Sequence, residues 1–372
     1  MIKKILTLLL MTGWISGYSQ VSPEERKIIF PDIPGYKTVI CDLHTHSVFS
    51  DGNVWPTIRV QEAQKDGIDL MAITEHLEYQ PHREDIPHPD RNRAFVLSEG
   101  AAKGSDLIII RGSEITRSMP PGHANAIFIQ DANKLLDDDV KKVYKEAKKQ
   151  GAFIFWNHPN WHRQQTDGIA SLSDLHKELI KGGMLHGIEI ANHTTYSEAA
   201  HRIALENNLT ILGTSDVHGL IDWDYLNPEG GWHRPVTLAF SKTRDADGVK
   251  EALFAGQTAV WFRNTLIGKE ELVVPLVKAS IEVKSARYID ETSVLEVTVE
   301  NKSDVEYILS NKGDYNFYDH NDLLIIKPNQ ESSFNVLTGK KLKEVELKFE
   351  AVNVTTTPDV HPIIIFKIET TE

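Results

Sequence analysis

Cysteine is almost absent from this chain of 372 residues, which contains one, Cys41, inside the apolar run 39–43. A single cysteine excludes a disulfide within the chain. A chain that is exported without disulfides fits a bacterial periplasm and depends on its apolar core for stability. We therefore interpret Cys41 as a small buried apolar residue.

Positive charge is also scarce. Lysine and arginine number 40 against 53 aspartates and glutamates, which gives a formal net charge of −13. We find no stripe of basic residues with interleaved aromatics, and an acidic surface repels a phosphate polymer. We therefore expect no stable nucleic-acid partner, whereas a small anion can still bind where a few cations focus the local field.

A long apolar run occurs only at the beginning of the chain. Lys3 and Lys4 precede the apolar residues 5–15, and small and polar residues follow at 16–20. This order is typical of a secretory signal, whose apolar core is too short to span a bilayer as a finished helix. We predict a signal peptide at 1–19, a lead-in at 20–36 and a soluble mature protein. We expect it to be secreted across the inner membrane, to be periplasmic and to have no membrane anchor.

Apolar runs alternate with helical patterns between residues 37 and 262. The predicted strands are 38–43, 69–74, 107–111, 152–156, 187–191, 210–214 and 236–240, with 123–129 as a further candidate. The predicted helices are 55–66, 91–103, 138–150, 171–181, 196–207 and 245–255. This alternation predicts an α/β fold with parallel pairing and both sheet faces covered, and seven repeats favour a closed (β/α) barrel over a small open sheet.

The pattern changes towards the end of the chain. From residue 274 the sequence is rich in β-branched residues, and 344–350 alternates charged with apolar side chains, as a half-buried strand does. We find no helical period there and predict a small all-β, sandwich-like domain at 274–372. Residues 263–273 are predicted to be the linker.

Histidines and acidic residues follow the predicted strands of the barrel. The clusters are His44-Thr45-His46 with Ser50-Asp51-Gly52, Thr74-Glu75-His76, Gly112-Ser113-Glu114, Gly122-His123, Asn157-His158-Pro159 and Ser215-Asp216-Val217-His218. The carboxyl ends of the strands of a parallel barrel open on one face, so these distant residues are expected to converge.

Nine side chains form the predicted metal site: His44, His46, Asp51, His76, Glu114, His123, His158, Asp216 and His218. A single histidine at a strand end is more often hydrogen-bonded to a loop, but that explanation does not extend to six of them. Nine ligands exceed what one ion uses and fit two or three, with Glu114 suited to bridge two. Nitrogen and oxygen donors indicate Zn²⁺, Mn²⁺ or Fe²⁺.

These motifs, in this order, resemble those of the PHP (polymerase and histidinol phosphatase) family over residues 38–262. The resemblance implies a distorted (β/α)7 barrel with a trinuclear metal centre. It implies one ion held by His44, His46, Glu114 and Asp216. A second ion would share Glu114 and add His123 and His158, and a third would take Asp51, His76 and His218. Some relatives have histidine where this chain has Asp51. The signal peptide and β-rich tail resemble an exported, phosphodiesterase-like branch of the family.

We therefore expect metal-dependent hydrolysis of phosphate esters, chiefly phosphodiesters of small molecules, by a metal-bridged hydroxide at a di- or trinuclear centre. His218 or His193 would protonate the leaving oxygen. The candidate anion contacts are Arg117, Arg163 and Arg234. Tryptophans at 156, 161, 223 and 232 are candidates for the wall of a pocket for a neutral ester group, which favours a diester.

Three alternative functions stay open on the sequence alone. The enzyme could be a phosphomonoesterase similar to histidinol phosphatases, or the same metal chemistry could cleave amides or lactones. From another class, the chain could be a non-catalytic binding module whose β tail grips a glycan or a partner. We expect turnover to survive deletion of the tail, which would separate the last alternative from the others.

Overall fold

The computed structural model describes residues 27–225 and 233–371. The predicted signal peptide, the first part of the lead-in and Trp232 lie outside the described residues. Within the two described ranges, no helix is both long enough and apolar enough to cross a membrane.

Strands and helices alternate through the first part of the structure, as the sequence predicts. They are β1 (Lys37–Asp42), α1 (Pro56–Lys65), β2 (Leu70–Ile73), α2 (Arg93–Ala102), β3 (Ile108–Ile115), β4 (Ala124–Ile127), α3 (Val140–Lys149), β5 (Phe153–Trp156), α4 (Asp174–Lys181), β6 (Gly187–Asn192), β7 (Thr195–Tyr196), α5 (Glu198–Asn207), β8 (Thr210–Thr214), α6 (Ile221–Tyr225), β9 (Val236–Ser241), α7 (Ala246–Phe254), β10 (Thr258–Phe262), β11 (Thr265–Gly268) and α8 (Glu270–Ser280). A short 3-10 helix lies at Ala132–Leu135.

The remaining elements are all strands. They are β12 (Ile281–Tyr288), β13 (Val294–Asn301), β14 (Tyr307–Asn311), β15 (Asn316–Phe317), β16 (Leu323–Ile326), β17 (Glu331–Leu337), β18 (Glu344–Ala351), β19 (Val354–Thr355) and β20 (Ile363–Glu369).

One large sheet forms the first part, with the strand order β19-β11-β10-β9-β1-β2-β3-β4-β5-β6-β7 and β8 paired to β6. The sheet curls, because the chain just beyond β8 returns to the chain just beyond β1. The amide of His46 donates to the carbonyl of Val217 at 3.1 Å, and the amide of Asp216 donates to the carbonyl of His44 at 2.9 Å. The predicted fold class, a distorted α/β barrel followed by an all-β domain, is confirmed.

The strand directions correct one expectation, since pairing is not parallel throughout. The series β1-β2-β3 and β5-β6-β8 are parallel. By contrast, β4 is antiparallel to both β3 and β5, and β9 is antiparallel to β1. The connection from β3 to β4 carries no helix, so the chain turns straight back beside the strand that it has just left.

Two four-stranded antiparallel sheets form the last part, in the orders β12-β13-β17-β15 and β16-β14-β18-β20. Strand β18 shows the alternation that the sequence predicts: Val345, Leu347, Phe349 and Ala351 are buried, whereas the residues between them face outwards. The buried faces of the two sheets supply the core of a sandwich.

The predicted linker at 263–273 is folded, because it contains β11 and the beginning of α8. The strand-only part therefore begins at Ile281 rather than at 274. Helix α8 buries Leu272, Val273, Leu276 and Val277. These residues recur at one-turn spacing, which is a helical period that the sequence analysis overlooked.

The sandwich is joined to the barrel by main-chain and side-chain contacts. Strand β19 adds in parallel to β11 at the end of the large sheet. Asn353 accepts from the amide of Ile308 at 2.9 Å and donates to the carbonyls of Asn264 and Glu306, each at 2.8 Å. Apolar residues of both parts form one continuous buried cluster. The two parts therefore share a core and stabilise each other.

Candidate metal centre

The strand ends bring all nine predicted metal ligands to one edge of the curled sheet. His44 and His46 follow β1, His76 follows β2, Glu114 lies at the end of β3, and His158 follows β5. Asp216 and His218 follow β8. His123 precedes β4 and reaches the same edge because β4 is antiparallel to its neighbours. Most of the set is buried, whereas Asp51, Asp216 and His218 are partly exposed.

The first group of ligand atoms lies between the ends of β1 and β8. His44 Nε2 and His46 Nε2 are 3.0 Å apart, and Asp216 Oδ1 lies 3.2 Å from the first and 3.1 Å from the second. The carboxylate of Glu114 completes the group, with Oε1 3.6 Å from His44 Nε2 and Oε2 3.6 Å from His46 Nε2. Three of the four residues that the resemblance assigns to one ion, His44, His46 and Glu114, therefore offer ligand atoms within 4.8 Å of one another. Asp216 lies beside both imidazoles.

The second group surrounds Asp51. Its Oδ1 lies 3.1 Å from His218 Nε2, and its Oδ2 lies 3.3 Å from His76 Nε2. His46 Nδ1 is 3.9 Å from Asp51 Oδ1. The ligand atoms of these four residues all lie within 4.8 Å of one another.

The third group surrounds Glu114, which is fully buried. Its Oε1 lies 3.0 Å from His123 Nδ1 and 3.3 Å from His158 Nε2. Its Oε2 lies 2.6 Å from His76 Nδ1. Because Glu114 also faces His44 and His46, its carboxylate stands between two groups of ligands, as a bridging ligand would.

Several buried polar atoms at this edge have no hydrogen-bond partner. They include Asp51 Oδ1, Glu114 Oε2 and His158 Nδ1. Such an atom costs about 1–3 kcal/mol in a folded protein. Nitrogen and carboxylate oxygen atoms that crowd together, several of them without a hydrogen-bond partner, fit divalent cations, and the residues present are therefore compatible with metal binding.

The pKa values at this edge are strongly perturbed in opposite directions. Burial lowers the pKa of His44, but the charges of Asp216, Glu189 and Glu114 outweigh it and raise that pKa well above the usual value. Burial and the neighbouring imidazole of His218 lower the pKa of His46 to about 3.

The carboxyl groups are held ionised by the imidazoles around them. Burial opposes ionisation of Glu114, yet His76 and His123 hold the pKa of that carboxyl well below its usual range. Against the effect of burial, Glu114 and Asp51 in turn raise the pKa of His76 to about 10. A cation that binds here takes the place of protons as the partner of these carboxylates, so binding releases protons.

Glu189 is a candidate positioning residue that the sequence analysis missed. It lies on β6 and is fully buried. Its Oε1 accepts from His44 Nδ1 at 2.8 Å, and its Oε2 accepts from the amide of His158 at 2.6 Å. This carboxylate fixes the orientation of two candidate ligands, as outer residues do at metal sites. A lone glutamate within the apolar strand 187–191 was the signal that could have revealed it.

Glu75 was quoted only as part of a motif, yet it organises the turn that follows β1. Its carboxylate accepts from the hydroxyls of Ser47 and Ser50, and from the amide of Ser47 at 3.1 Å. The Ser50 hydroxyl in turn lies 3.2 Å from His46 Nδ1. The side chain of Glu75 therefore orients His46 through Ser50.

Arg59 is a second residue that the sequence analysis missed. It lies on α1 and is 1% exposed. Its Nε donates to the carbonyl of His46 at 2.7 Å, while Nη2 donates to the carbonyls of His218 at 2.9 Å and Gly219 at 2.6 Å. Glu62 pairs with the same guanidinium. Arg59 thus ties together the two loops that carry His46 and His218.

Two of the arginines predicted to contact an anion form ion pairs with carboxylates of the protein instead. Arg234 is 1% exposed and pairs with Asp42 at 2.9 Å and Asp66 at 2.7 Å, so the prediction that it contacts substrate is wrong. Its charge neutralises buried carboxylates instead. Arg117 pairs with Glu78 at 2.8 Å and donates to the carbonyl of Asp137 at 2.6 Å. Sequence spacing cannot reveal such partners.

The other two residues predicted to contact the substrate, Arg163 and His193, are both at least partly exposed. Arg163 is exposed, and its Cζ lies 5.8 Å from the centre of the Trp161 ring. His193 is partly exposed, and its Nε2 lies 3.9 Å from Asp224 Oδ2. The preceding residue, Asn192, donates to Asp216 Oδ2 at 3.2 Å. His193 therefore follows directly after a residue that contacts a candidate ligand.

The tryptophans divide into different environments. Trp156 is buried and stacks on His176 with ring centres 4.1 Å apart, which is core packing rather than a pocket wall. Trp223 is 72% exposed. Trp161 lies against His123 and His158, with ring centres 5.6 and 5.2 Å away.

Comparisons with known proteins agree with this geometry. A family model described as an Ig-like domain (DUF5001) matches residues 281–367. An uncharacterized protein of Methanocaldococcus jannaschii, MJ1295, is 30% identical over 118 residues. That match covers 32% of this chain and 44% of the archaeal protein, so the chain spans less than half of that relative.

A solved structure is similar over almost its whole length. It is a crystal structure of a two-domain protein from Bacteroides vulgatus that contains a predicted PHP-like metal-dependent phosphoesterase. The identity is 39%, the TM-score is 0.84, and the match covers 92% of this chain and 98% of that one. The likeness includes both the curled barrel and the β domain. The chain described here therefore belongs to the PHP-like family of two-domain proteins.

Proposed function

We propose that this protein is a hydrolase that cleaves phosphate esters, chiefly phosphodiesters of small molecules, with two or three divalent metal ions. The observation that supports it best is the set of nine imidazoles and carboxylates at one edge of the sheet. Seven of them form three overlapping groups, two of which share the buried carboxylate of Glu114. Asp216 lies 3.1 Å from His46 Nε2, and His158 lies 3.3 Å from Glu114 Oε1. A cluster of partly unsatisfied buried groups lowers stability unless it serves a ligand.

The nine residues would be shared among the ions as follows. His44, His46, Asp216 and Glu114 would hold one cation, His123 and His158 a second one shared with Glu114, and Asp51, His76 and His218 a third. When bound, Zn²⁺, Mn²⁺ or Fe²⁺ would lower the pKa of a water molecule and neutralise charge on the phosphoryl oxygens. Glu189 and Glu75 hold His44 and His46 in place for this chemistry.

His193 is proposed as the group that protonates the leaving oxygen. It is outside the predicted ligand set, so its ring nitrogens stay available for proton transfer. Asp224 lies near enough to orient the ring. His218 is the weaker candidate, because its Nε2 faces Asp51 within the second ligand group.

The charge around the cluster favours a diester over a monoester. Of the three arginines predicted as anion contacts, Arg234 and Arg117 already have carboxylate partners, which leaves Arg163. A monoester dianion needs more compensating positive charge than a diester monoanion does. Trp161, beside His123 and His158, provides apolar surface that a neutral ester group can cover.

Metal analysis combined with a substrate panel tests this proposal. The purified protein is analysed for bound metals, and is then assayed with bis-p-nitrophenyl phosphate, p-nitrophenyl phosphate, an amide and a lactone. We expect two or three divalent ions per chain and faster cleavage of the diester. A preference for the monoester would overturn the diester assignment, and turnover of the amide or lactone alone would overturn phosphate-ester hydrolysis.

A further inference from the structure

Trp161 stands at the boundary between the ligand cluster and solvent. Its ring contacts His123 and His158, the two imidazoles nearest to Glu114 Oε1. The residue is only partly buried, although it lies against two candidate metal ligands. An aromatic ring exposed beside a polar cluster offers stacking surface to a flat group held by that cluster.

The main chain holds Trp161 in a fixed position. Its amide donates to the carbonyl of His158 at 2.9 Å, so the ring is tied to a candidate ligand. Its carbonyl accepts from the amides of Gln164 at 2.9 Å and Gln165 at 2.8 Å. The Gln164 side chain then donates to the carbonyl of Arg117 at 3.1 Å. A surface prepared in this way loses little entropy when it binds a ligand.

Arg163 adds a cation at the same place. Its Cζ lies 5.8 Å from the centre of the Trp161 ring, near the outer limit of a cation–π contact. The side chain is exposed, so it can shift to accommodate a ligand. The mouth of the barrel therefore combines a flat apolar surface, a positive charge and the ligand cluster.

We propose that Trp161 is the platform for a planar aromatic substituent of the phosphate ester, with Arg163 beside it. The substrate class is therefore an aryl or heteroaryl phosphate ester rather than an alkyl one. This inference rests on the proposed function and names the chemistry of one ester group. The ring stacks on Trp161 while its phosphoryl group lies at the Glu114, His123 and His158 edge.

Binding of two unreactive phosphonates to the metal-loaded protein tests the platform apart from catalysis. Phenylphosphonate and cyclohexylphosphonate have similar size and charge, but only the first is flat. We expect the protein to bind phenylphosphonate about 3- to 10-fold more tightly, as a stacked aromatic pair predicts. Isothermal titration gives both affinities, and quenching of tryptophan fluorescence by phenylphosphonate gives a second measure.

Three variants locate the effect. Trp161→Leu is expected to remove the preference, Trp161→Tyr to retain most of it, and Trp55→Leu, at an exposed tryptophan before α1, to leave it unchanged. Equal affinities in the unmodified protein, or a preference that persists in Trp161→Leu, would overturn the proposal. If Trp161→Leu does not fold, no quenching at saturating phenylphosphonate in the unmodified protein overturns it instead.

The outcome is separable from that of the proposed function. If no phosphate ester is hydrolysed, the proposed function fails, while the two phosphonate affinities still decide the role of Trp161. If esters are hydrolysed but aryl and alkyl phosphonates bind equally, the hydrolase proposal stands and the platform fails.

Discussion

The barrel and the Ig-like domain place their charged side chains in opposite ways. In the barrel, Glu114, Glu189 and Arg59 are buried and bonded to other polar groups. Among the described residues from 281 onwards, the buried polar side chains are Asn301, Ser303 and Thr338, all uncharged. The charges of that domain pair across the outer faces of its sheets, as between Arg287 and Glu296.

Backbone conformation shows the same difference. His158 and Asp216, two candidate ligands, have left-handed φ values of 29° and 49°. Such conformations cost roughly 1–3 kcal/mol for residues other than glycine and persist where the surrounding contacts impose them. In the Ig-like domain, residues with positive φ include Asp290 and Asn329, types that tolerate it in turns. Buried charge and strained backbone mark the part of the molecule that carries the candidate metal ligands, whereas regular alternation marks the Ig-like domain.

Replacing Glu114 with glutamine should have the largest effect. The amide keeps the shape but removes the charge that the imidazoles of His44, His76 and His123 face, so a shared cation loses its bridging ligand. We expect turnover of bis-p-nitrophenyl phosphate to fall at least about 10³-fold, with fewer bound ions by elemental analysis. The matched control is Glu178→Gln, a surface glutamate paired with Lys141, which should behave as the unmodified protein does. Near-normal turnover in Glu114→Gln would contradict the shared-ion arrangement.

Much of the arrangement of the candidate ligands could be predicted from the sequence, because spacing along strands determines which side chains share an edge of the sheet. The positions of His44, His46 and Asp216 follow directly from where β1 and β8 end. The role of Arg234 could not be predicted, since its partners Asp42 and Asp66 lie more than 160 positions away along the chain. Arg59 escaped notice because most of its acceptors are main-chain carbonyl groups, which no sequence pattern records, and those of His218 and Gly219 are about 160 positions away.

Loss of the Arg59 guanidinium should have a smaller effect on the same centre. Arg59→Met keeps the apolar stem but releases the carbonyls of His46 and His218, so the two loops are no longer held together. We expect metal affinity to fall about 10- to 100-fold, as for other outer residues of metal sites. Isothermal titration with Zn²⁺ or Mn²⁺ measures it.

The control for Arg59 is Arg111→Met, which removes a guanidinium that packs over the Phe95 ring at 4.3 Å. It should leave metal affinity within about twofold. An equal loss in both variants would mean that the effect of Arg59 is general destabilisation, and Arg59 would then have no positioning role.

His176 provides a test of buried polarity in the barrel away from the ligand set. Burial lowers its pKa to about 4, although the carbonyl of Pro121 accepts from its Nε2 at 2.6 Å. The folded protein therefore keeps this ring neutral, whereas the unfolded chain protonates it below about pH 6.5. The contribution of His176 to the free energy of unfolding is therefore fully present above that pH and is lost as the pH falls towards 4. The loss is about 2 kcal/mol between pH 8 and pH 5.

Urea unfolding at pH 8 and pH 5 measures this contribution of His176 to the free energy of unfolding. His176→Gln should reduce the difference in unfolding free energy between the two pH values by about 2 kcal/mol relative to the unmodified protein. His162→Gln, at an exposed histidine, is the control and should leave the difference unchanged. If both variants retain the full acid sensitivity, His176 is not held neutral in the folded state.

Asn353→Ala should have the smallest effect, and we expect it to lower stability without changing activity. The side chain links Ile308 of the Ig-like domain to the carbonyl of Asn264 in the barrel, so its loss leaves main-chain groups unpaired. We expect a cost of about 1–2 kcal/mol in unfolding free energy, with kcat/KM unchanged. Denaturant unfolding and an ester assay measure the two quantities. A drop in kcat/KM at unchanged stability would show that the Ig-like domain takes part in catalysis.

The sequence by itself determined the alternation of strands and helices, the alternating faces of the β domain and the positions of nine candidate ligands. These depend on periods of two and about 3.6 residues, which are local properties of the backbone. Only the tertiary structure decided which carboxylates neutralise which cations, that β4 and β9 run antiparallel, and that β19 pairs with β11 at the end of the barrel sheet. Those outcomes depend on neighbours far apart in the chain, and a local pattern carries no information about them.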